Sequence, residues 1–169
     1  MKALLATVFA LLALAPAALA DAHAEAHKRS AAPKPMAKFI TADEINWAEA
    51  PPDLPKGAQI TVLHGDPFKR GPFTMRLKMP DGYKIPAHWH TQDEQLTILS
   101  GIFVLHMGDT MDAAAHDLDA GAYHFLPGKM HHAAEVKGET VLQIHGMGPF
   151  DIHYLNPADN PNKTAAATP

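Results

Sequence analysis

The chain has 169 residues, a formal net charge of −4, twelve histidines, fifteen prolines and no cysteine. That length allows one ordinary domain with a core large enough to fold without covalent staples. The missing cysteine excludes disulfides, thiolate metal sites and thiol nucleophiles, and a slightly acidic chain with no basic stripe speaks against a nucleic-acid partner.

Met1-Lys2 gives a short positive start, and residues 3–20 are uncharged and rich in Leu and Ala, with Pro16 ahead of Ala18-Leu19-Ala20. This is the layout of a secretory signal peptide over residues 1–20, with a small-residue cleavage site. The alternative is a membrane anchor, since eighteen uncharged residues approach spanning length; Pro16 and the small residues at the cut argue against it. The expectation is a periplasmic or secreted protein with no stable membrane anchor after cleavage. Residues 21–40 carry Ala, Pro and mixed charge without an apolar period, and read as a flexible arm. Cleavage after Ala20 would expose Asp21-Ala22-His23, whose amine, amides and imidazole can wrap Cu(II) or Ni(II) in a square plane. Cleavage elsewhere leaves His23 a solvated tail residue.

Residues 41–156 have a different texture. Thr41-x-x-Glu44 could cap one helical turn, but Pro51 and Pro52 soon follow. Short apolar segments then recur at 59–64, 73–79, 84–89, 95–99, 102–107, 122–126, 140–147 and 150–155. They are divided by turn signals such as Gly65-Asp66-Pro67, Gly71-Pro72, Pro80-Asp81-Gly82, Ser100-Gly101 and Pro127-Gly128. Short strands at this spacing predict an all-β sandwich or barrel, not parallel α/β units. Residues 111–118 (MDAAAHDL) could form a helical turn. Residues 157–169 read as a frayed tail.

One spacing carries the chemistry. Gly82 is followed by five residues, His88-x-His90, three residues, Glu94, six residues and Gly101. Histidines at i and i+2 project from one face of a strand, so His88 and His90 point together while Trp89 faces the other way, as packing or dimer surface. Glu94 follows a link short enough to bring its carboxylate to the same space. Further on, Gly121 leads through five residues to Pro127, then His131 and His132. A third imidazole from that strand would complete three nitrogens and one carboxylate, a set suited to Mn, Fe, Co, Ni, Cu or Zn. From this composition, the first pattern arises by chance roughly once in ten thousand chains of this length. Taken singly, any of these histidines is more simply a structural residue. His106, His145 and His153 read that way, although His106 and His145 could lie near the pocket; of Tyr123 and His124 only one can face inward, and the sequence leaves open which. Leu96 and Ile98 share the parity of Glu94 and should make the pocket wall apolar. No nucleophile elbow or phosphate loop is present.

The first pattern resembles the first motif of the cupin superfamily, G-x5-H-x-H-x3-4-E-x6-G, met in full by Gly82, His88, His90, Glu94 and Gly101. The second motif, G-x5-P-x-G-x2-H-x3-N, is met by Gly121, Pro127 and His132, with Lys129 in place of its second Gly and Val136 in place of Asn. The spacing favours His132 over His131, which should then point away or support the site from outside. Phe73 and Phe150, each after a Gly-Pro, with the ending Asn156-Pro157-Ala158-Asp159, are similar to small single-domain bacterial cupins. The resemblance implies a single-domain jelly-roll barrel, commonly a homodimer, with a divalent metal (Fe, Mn, Zn, Ni, Co or Cu) inside it, held by His88, His90, Glu94 and His132. Glu94 would also be the catalytic group, a ligand able to shift and accept a proton. Two functions follow. One is an enzyme acting on a small oxygen-bearing organic substrate, with oxidoreductase chemistry of the dioxygenase type leading and isomerase or lyase chemistry behind. The other is a non-catalytic protein that binds or senses a metal or small ligand.

Overall fold

A computed structural model describes residues 36–162. The expected signal peptide, the Asp21-Ala22-His23 motif, most of the expected arm and the end of the tail lie outside the described residues. Residues 36–39 form no regular element. No helix among the described residues is long and apolar enough to cross a membrane.

The all-β expectation holds. Among the described residues nine strands run β1 (Ala48–Glu49), β2 (Gln59–His64), β3 (Gly71–Met79), β4 (Lys84–Trp89), β5 (Glu94–Met107), β6 (Ala115–Asp119), β7 (Tyr123–Leu126), β8 (His132–Gly148) and β9 (His153–Tyr154). All pairings are antiparallel, in the order β1-β2-β3-β8-β4-β9, while β5 joins β8 and carries β6 and β7. The organising pair is β5 with β8. The first part of β8 lies against β4, the second part lies against β3, and β5 follows it along both. A ladder that changes partner midway must bend, and the bend curls the sheet into the expected jelly-roll barrel. Phe73, Leu77, Met79, Leu96, Ile98, Phe103, Leu142 and Ile144 fill its interior.

The bend corrects the expectation of a turn at Ser100-Gly101. The chain stays in strand there, with register shifts against β8 on both sides of Ser100, so the two segments 95–99 and 102–107 are one strand. A bulge of this kind exchanges the two faces: Leu96 and Ile98 are buried before it, Phe103 and Leu105 after it. Gly101 takes φ 78°, and a Cβ there would lie 2.3 Å from Thr140 Oγ1 and 2.6 Å from the Glu139 carbonyl. Only glycine allows that approach.

Other boundaries also move. β8 begins at His132, eight residues ahead of the 140–147 segment, because pairing with β4 and β5 carries the strand through the polar Lys137-Gly138-Glu139. Gly71-Pro72 lies inside β3 and is not a turn. Residues 111–118 make no helical turn; Ala115–Asp119 pair as β6 along the edge of β5. Of the 150–155 segment only His153–Tyr154 is strand. Thr41-x-x-Glu44 does form a single 3₁₀ turn, with the Thr41 amide donating to the Glu44 carboxylate at 2.8 Å.

Candidate metal centre

The site is assembled where three strands end or begin on one side of the barrel. His88 lies on β4, His90 just beyond its end, Glu94 opens β5 and His132 opens β8. His88 and His132 are direct cross-strand partners. A register shift between Ile85 and His88 puts both of those residues on the inner face despite their unlike parity, and it is this irregularity that turns the His88/His90 pair inward. Trp89 points to the opposite face and stacks on His153 at 4.0 Å between centroids.

The three imidazoles are buried, His88 at 3 % and His132 at 2 % exposure. Their candidate ligand atoms all lie within 4.8 Å of one another, so the cluster could hold a metal ion. Each ring is oriented by a backbone carbonyl. His88 Nδ1 donates to the Pro86 carbonyl at 2.7 Å, His132 Nδ1 to Met130 at 3.0 Å, and His90 Nδ1 to Asp151. A carbonyl can only accept, so in the neutral ring Nδ1 bears the hydrogen and Nε2 the lone pair. Outward Nδ1–H and inward Nε2 is the arrangement that fixes a metal-binding imidazole. His90 Nε2 is buried without any hydrogen-bond partner, which is costly unless something occupies the space it faces.

Glu94 stands beside this cluster, its Oε1 3.7 Å from His90 Nε2 and its Oε2 3.5 Å from His132 Nε2. Burial opposes its ionisation, but a hydrogen bond from His124 and the imidazoles of His90 and His132 outweigh it, holding the carboxyl well below the usual carboxylate range. Burial pushes His88 the other way, with His132 and His90 adding to it, well below the ordinary imidazole value; burial likewise lowers His132. A carboxyl that ionises readily and two imidazoles, His88 and His132, that resist protonation are what a cation requires of its donors. The donor set of three nitrogens and one oxygen therefore fits a divalent transition metal.

This geometry gives weight to a match in sequence: residues 36–151 fit the family model described as the ChrR cupin-like domain. The chain belongs to the ChrR cupin-like family. Among solved structures, the polyketide cyclase RemF from Streptomyces resistomycificus superposes with a TM-score of 0.63 at 14% identity, covering 78% of this chain and 94% of the other. A putative acetylacetone dioxygenase from Methylibium petroleiphilum PM1 gives 0.58 at 18% identity, covering 80% and 97%. An acetylacetone dioxygenase from Acinetobacter johnsonii gives 0.56 at 16% identity, covering 75% and 81%. At these identities the likeness establishes the fold. No curated protein matches the sequence significantly.

Both departures from the cupin motifs have a local explanation in this ChrR cupin-like chain. Lys129 adopts the left-handed conformation itself, φ 68°, and its amide donates to the His90 carbonyl at 2.7 Å, so the turn survives without glycine. Val136 is buried in the core, its amide bonded to the Tyr83 carbonyl at 3.0 Å. His131 points away from the cluster onto Asp109, 2.7 Å from its carboxylate, while His132 enters it. His106 is buried but turned to the Ala113 carbonyl, His145 faces outward beside Gln143, and neither lines the pocket.

The cluster forms the floor of a pocket that opens to solvent. Its walls are apolar: Leu54, Ile60, Phe68, Met75, Leu77, Leu96, Phe103, Ile144 and Phe150 are among the lining residues, and Phe150 stacks on the His90 ring at 4.4 Å. Leu96 is in the wall as expected, whereas Ile98 lies in the core behind it. Apart from the site residues, the charged groups of the lining are Asp53 and Asp151; no lysine or arginine is among them.

Two contributors escaped the sequence reading. Asp151 holds His90 through its carbonyl and clamps Thr91 through its carboxylate, 2.8 Å from the Thr91 amide, a role that depends on a fold-back no local spacing reveals. His124, not Tyr123, faces inward. Its shared parity with Leu126 was the available signal, but Tyr123 and Phe125 make the outward face look equally apolar.

Proposed function

We propose that this protein is an exported, metal-dependent enzyme acting on a small oxygen-bearing organic substrate, with oxidoreductase chemistry of the dioxygenase type. The observation that carries the reading is the convergence of three buried imidazoles on the floor of an otherwise apolar pocket. A metal bound there would act as a Lewis acid toward a substrate oxygen and, if iron or manganese, could engage dioxygen. His88, His90 and His132 would hold it, with Glu94 as the fourth donor. The apolar walls would exclude water and take the carbon skeleton of the substrate. Glu94, ionised and beside the cluster, would accept the proton released when an enol or phenol binds as its anion. Among the described residues no cationic side chain lines the pocket, so beyond the metal a phosphorylated or polycarboxylate substrate would find no counter-charge. The acetylacetone dioxygenases that share the fold are consistent with this class.

Export with cleavage after Ala20 and assembly as a homodimer belong to the same proposal. The first rests on the leader pattern; the second is supported by the exposed Tyr123 and Phe125 side chains of β7.

A second reading is favoured by Glu94 itself. Four protein donors in one place are what a closed structural or sensing site uses, whereas a catalytic site keeps a position open. The decisive experiment is metal analysis of the protein from its native compartment, followed by oxygen uptake with a panel of small enolates and phenols. Iron or manganese with substrate-dependent oxygen uptake is the expected result. Stoichiometric zinc with no uptake supports the binding reading, and no metal at all overturns both.

A further inference from the structure

The pairing of Glu94 with His124 goes beyond the four-residue centre, and it rests on the metal reading above. His124 lies on β7, opposite Leu96 of β5, and is 8 % exposed. Its Nε2 is 3.0 Å from Glu94 Oε2. Among the described residues it is the one side chain that hydrogen-bonds Glu94. In this contact Nε2–H donates to the carboxylate oxygen, and the other ring nitrogen, Nδ1, is buried with no hydrogen-bond partner.

As a core residue this is a poor choice. The ring is near Phe103, 6.0 Å between centroids, in surroundings where an aliphatic side chain would pack without an unmet polar atom. The compensation lies at Nε2. A carboxylate whose oxygens stand 3.5–3.7 Å from the nearest imidazole nitrogens of the cluster is not bonded to them. With no other hydrogen bond from the described residues, its orientation depends on His124.

We propose that His124 is the positioning residue for Glu94: its Nε2–H grips Oε2 and aims the carboxylate at the gap between His90 and His132. His124 is not one of the three imidazoles that converge. It acts by fixing where the fourth donor stands, as outer partners of metal ligands do.

The test is a double-mutant cycle on the full chain, prepared metal-free and titrated with Co(II). His124→Phe keeps a planar ring and removes the donor. It should weaken Co(II) binding about 10- to 100-fold, the loss typical of an outer-shell partner. His124→Gln can return an N–H to the same oxygen and should recover most of that loss. In a Glu94→Gln background, His124→Phe should cause no further weakening, because the group it positions is gone. Equal affinity of His124→Phe and the unaltered protein overturns the proposal, as does an undiminished effect in the Glu94→Gln background.

An independent readout uses the unaltered apo-protein. Imidazole nitrogen NMR should show His124 as the Nε2–H form, shifting on Glu94→Gln. An Nδ1–H form overturns the proposal even if His124→Phe does not fold. If the unaltered protein binds no Co(II), the metal reading fails by itself, and the tautomer and its response to Glu94→Gln still decide whether His124 holds the carboxylate.

Discussion

Lys129 carries a left-handed backbone, φ 68°, at the turn that leads into β8, and the strain has a definite origin. Its Cβ crowds the following carbonyl, which costs an L-residue roughly 1–2 kcal/mol. The turn is worth keeping because the Lys129 amide bonds the His90 carbonyl and so ties the end of β4 to the entry of β8. Lys129→Gly should therefore stabilise the protein by about 1 kcal/mol, once glycine's extra freedom in the unfolded chain is set against the relieved strain. Urea unfolding checks this; Lys129→Ala, which keeps the Cβ, should show no comparable gain. The residues of the site also set a pH dependence. His88 and His132 bind protons less readily when folded than at their ordinary 6.5, so below about that pH the unfolded chain takes up more protons. Glu94 is held below its ordinary 4.5, so its contribution is present above that value and is lost at lower pH. Both effects have one sign, since stability falls as pH falls wherever the unfolded state binds more protons. The apo-protein's melting temperature should drop from pH 7 to pH 5 through the histidines, and more steeply below 4.5 through Glu94. A flat profile over the first interval in His88→Ala/His132→Ala, with the steep fall kept, would match that assignment.

At the scale of elements, the bend in β5 decides which side chains reach the interior. Leu96 and Phe103 line the same pocket although their parity differs, because the bulge around Ser100-Gly101 exchanges faces between them. Gly101→Ala meets Thr140 and Glu139 at distances no real Cβ tolerates, in a conformation already unfavourable for it. The expected loss is about 3 kcal/mol, combining left-handed strain with overpacking, read as an earlier denaturant midpoint. Thr140→Ala should not restore it, because the Glu139 carbonyl is backbone and remains. This element also shows where the sequence was legible. Alternation and turn residues located β2 and β4 to the residue, since each is a short segment bounded by strong turn signals. The same signals broke β5 and β8 into pieces, because a glycine at a bulge looks locally like a glycine at a turn. Only the pairing partner distinguishes them. The convergence of His88, His90 and His132 was legible for a different reason: two motifs fix their spacing. His124 and Asp151 were not, since each reaches the site through a register or a fold-back set by distant strands.

For the whole molecule, the question is how far the site and the fold depend on each other. The barrel interior is filled by aliphatic and aromatic side chains from β3, β5 and β8, and it is these, not the imidazoles, that supply its apolar burial, so the barrel is expected to close without a metal. The cluster itself draws on β4, β5 and β8, and through the Asp151 carbonyl on the segment leading to β9. An ion bound there would tie the end of β4 and the start of β8 to the start of β5, and would bind the folded chain alone, because the unfolded chain does not bring these residues together. Mass action then sets the size of the effect: at a free metal concentration one hundred times the dissociation constant, stability rises by about 2.7 kcal/mol. Chelation should accordingly lower the melting temperature while leaving the far-ultraviolet β signature intact, and re-addition of metal should restore it. His132→Ala removes an imidazole from the centre of the cluster without opening the core of the barrel. It should begin near the melting temperature of the chelated protein and show no rise on adding metal. His131→Ala, whose side chain faces Asp109 on the surface, should keep the full metal-dependent rise. Were the two variants to respond alike, the metal would be acting elsewhere than at the three-imidazole floor.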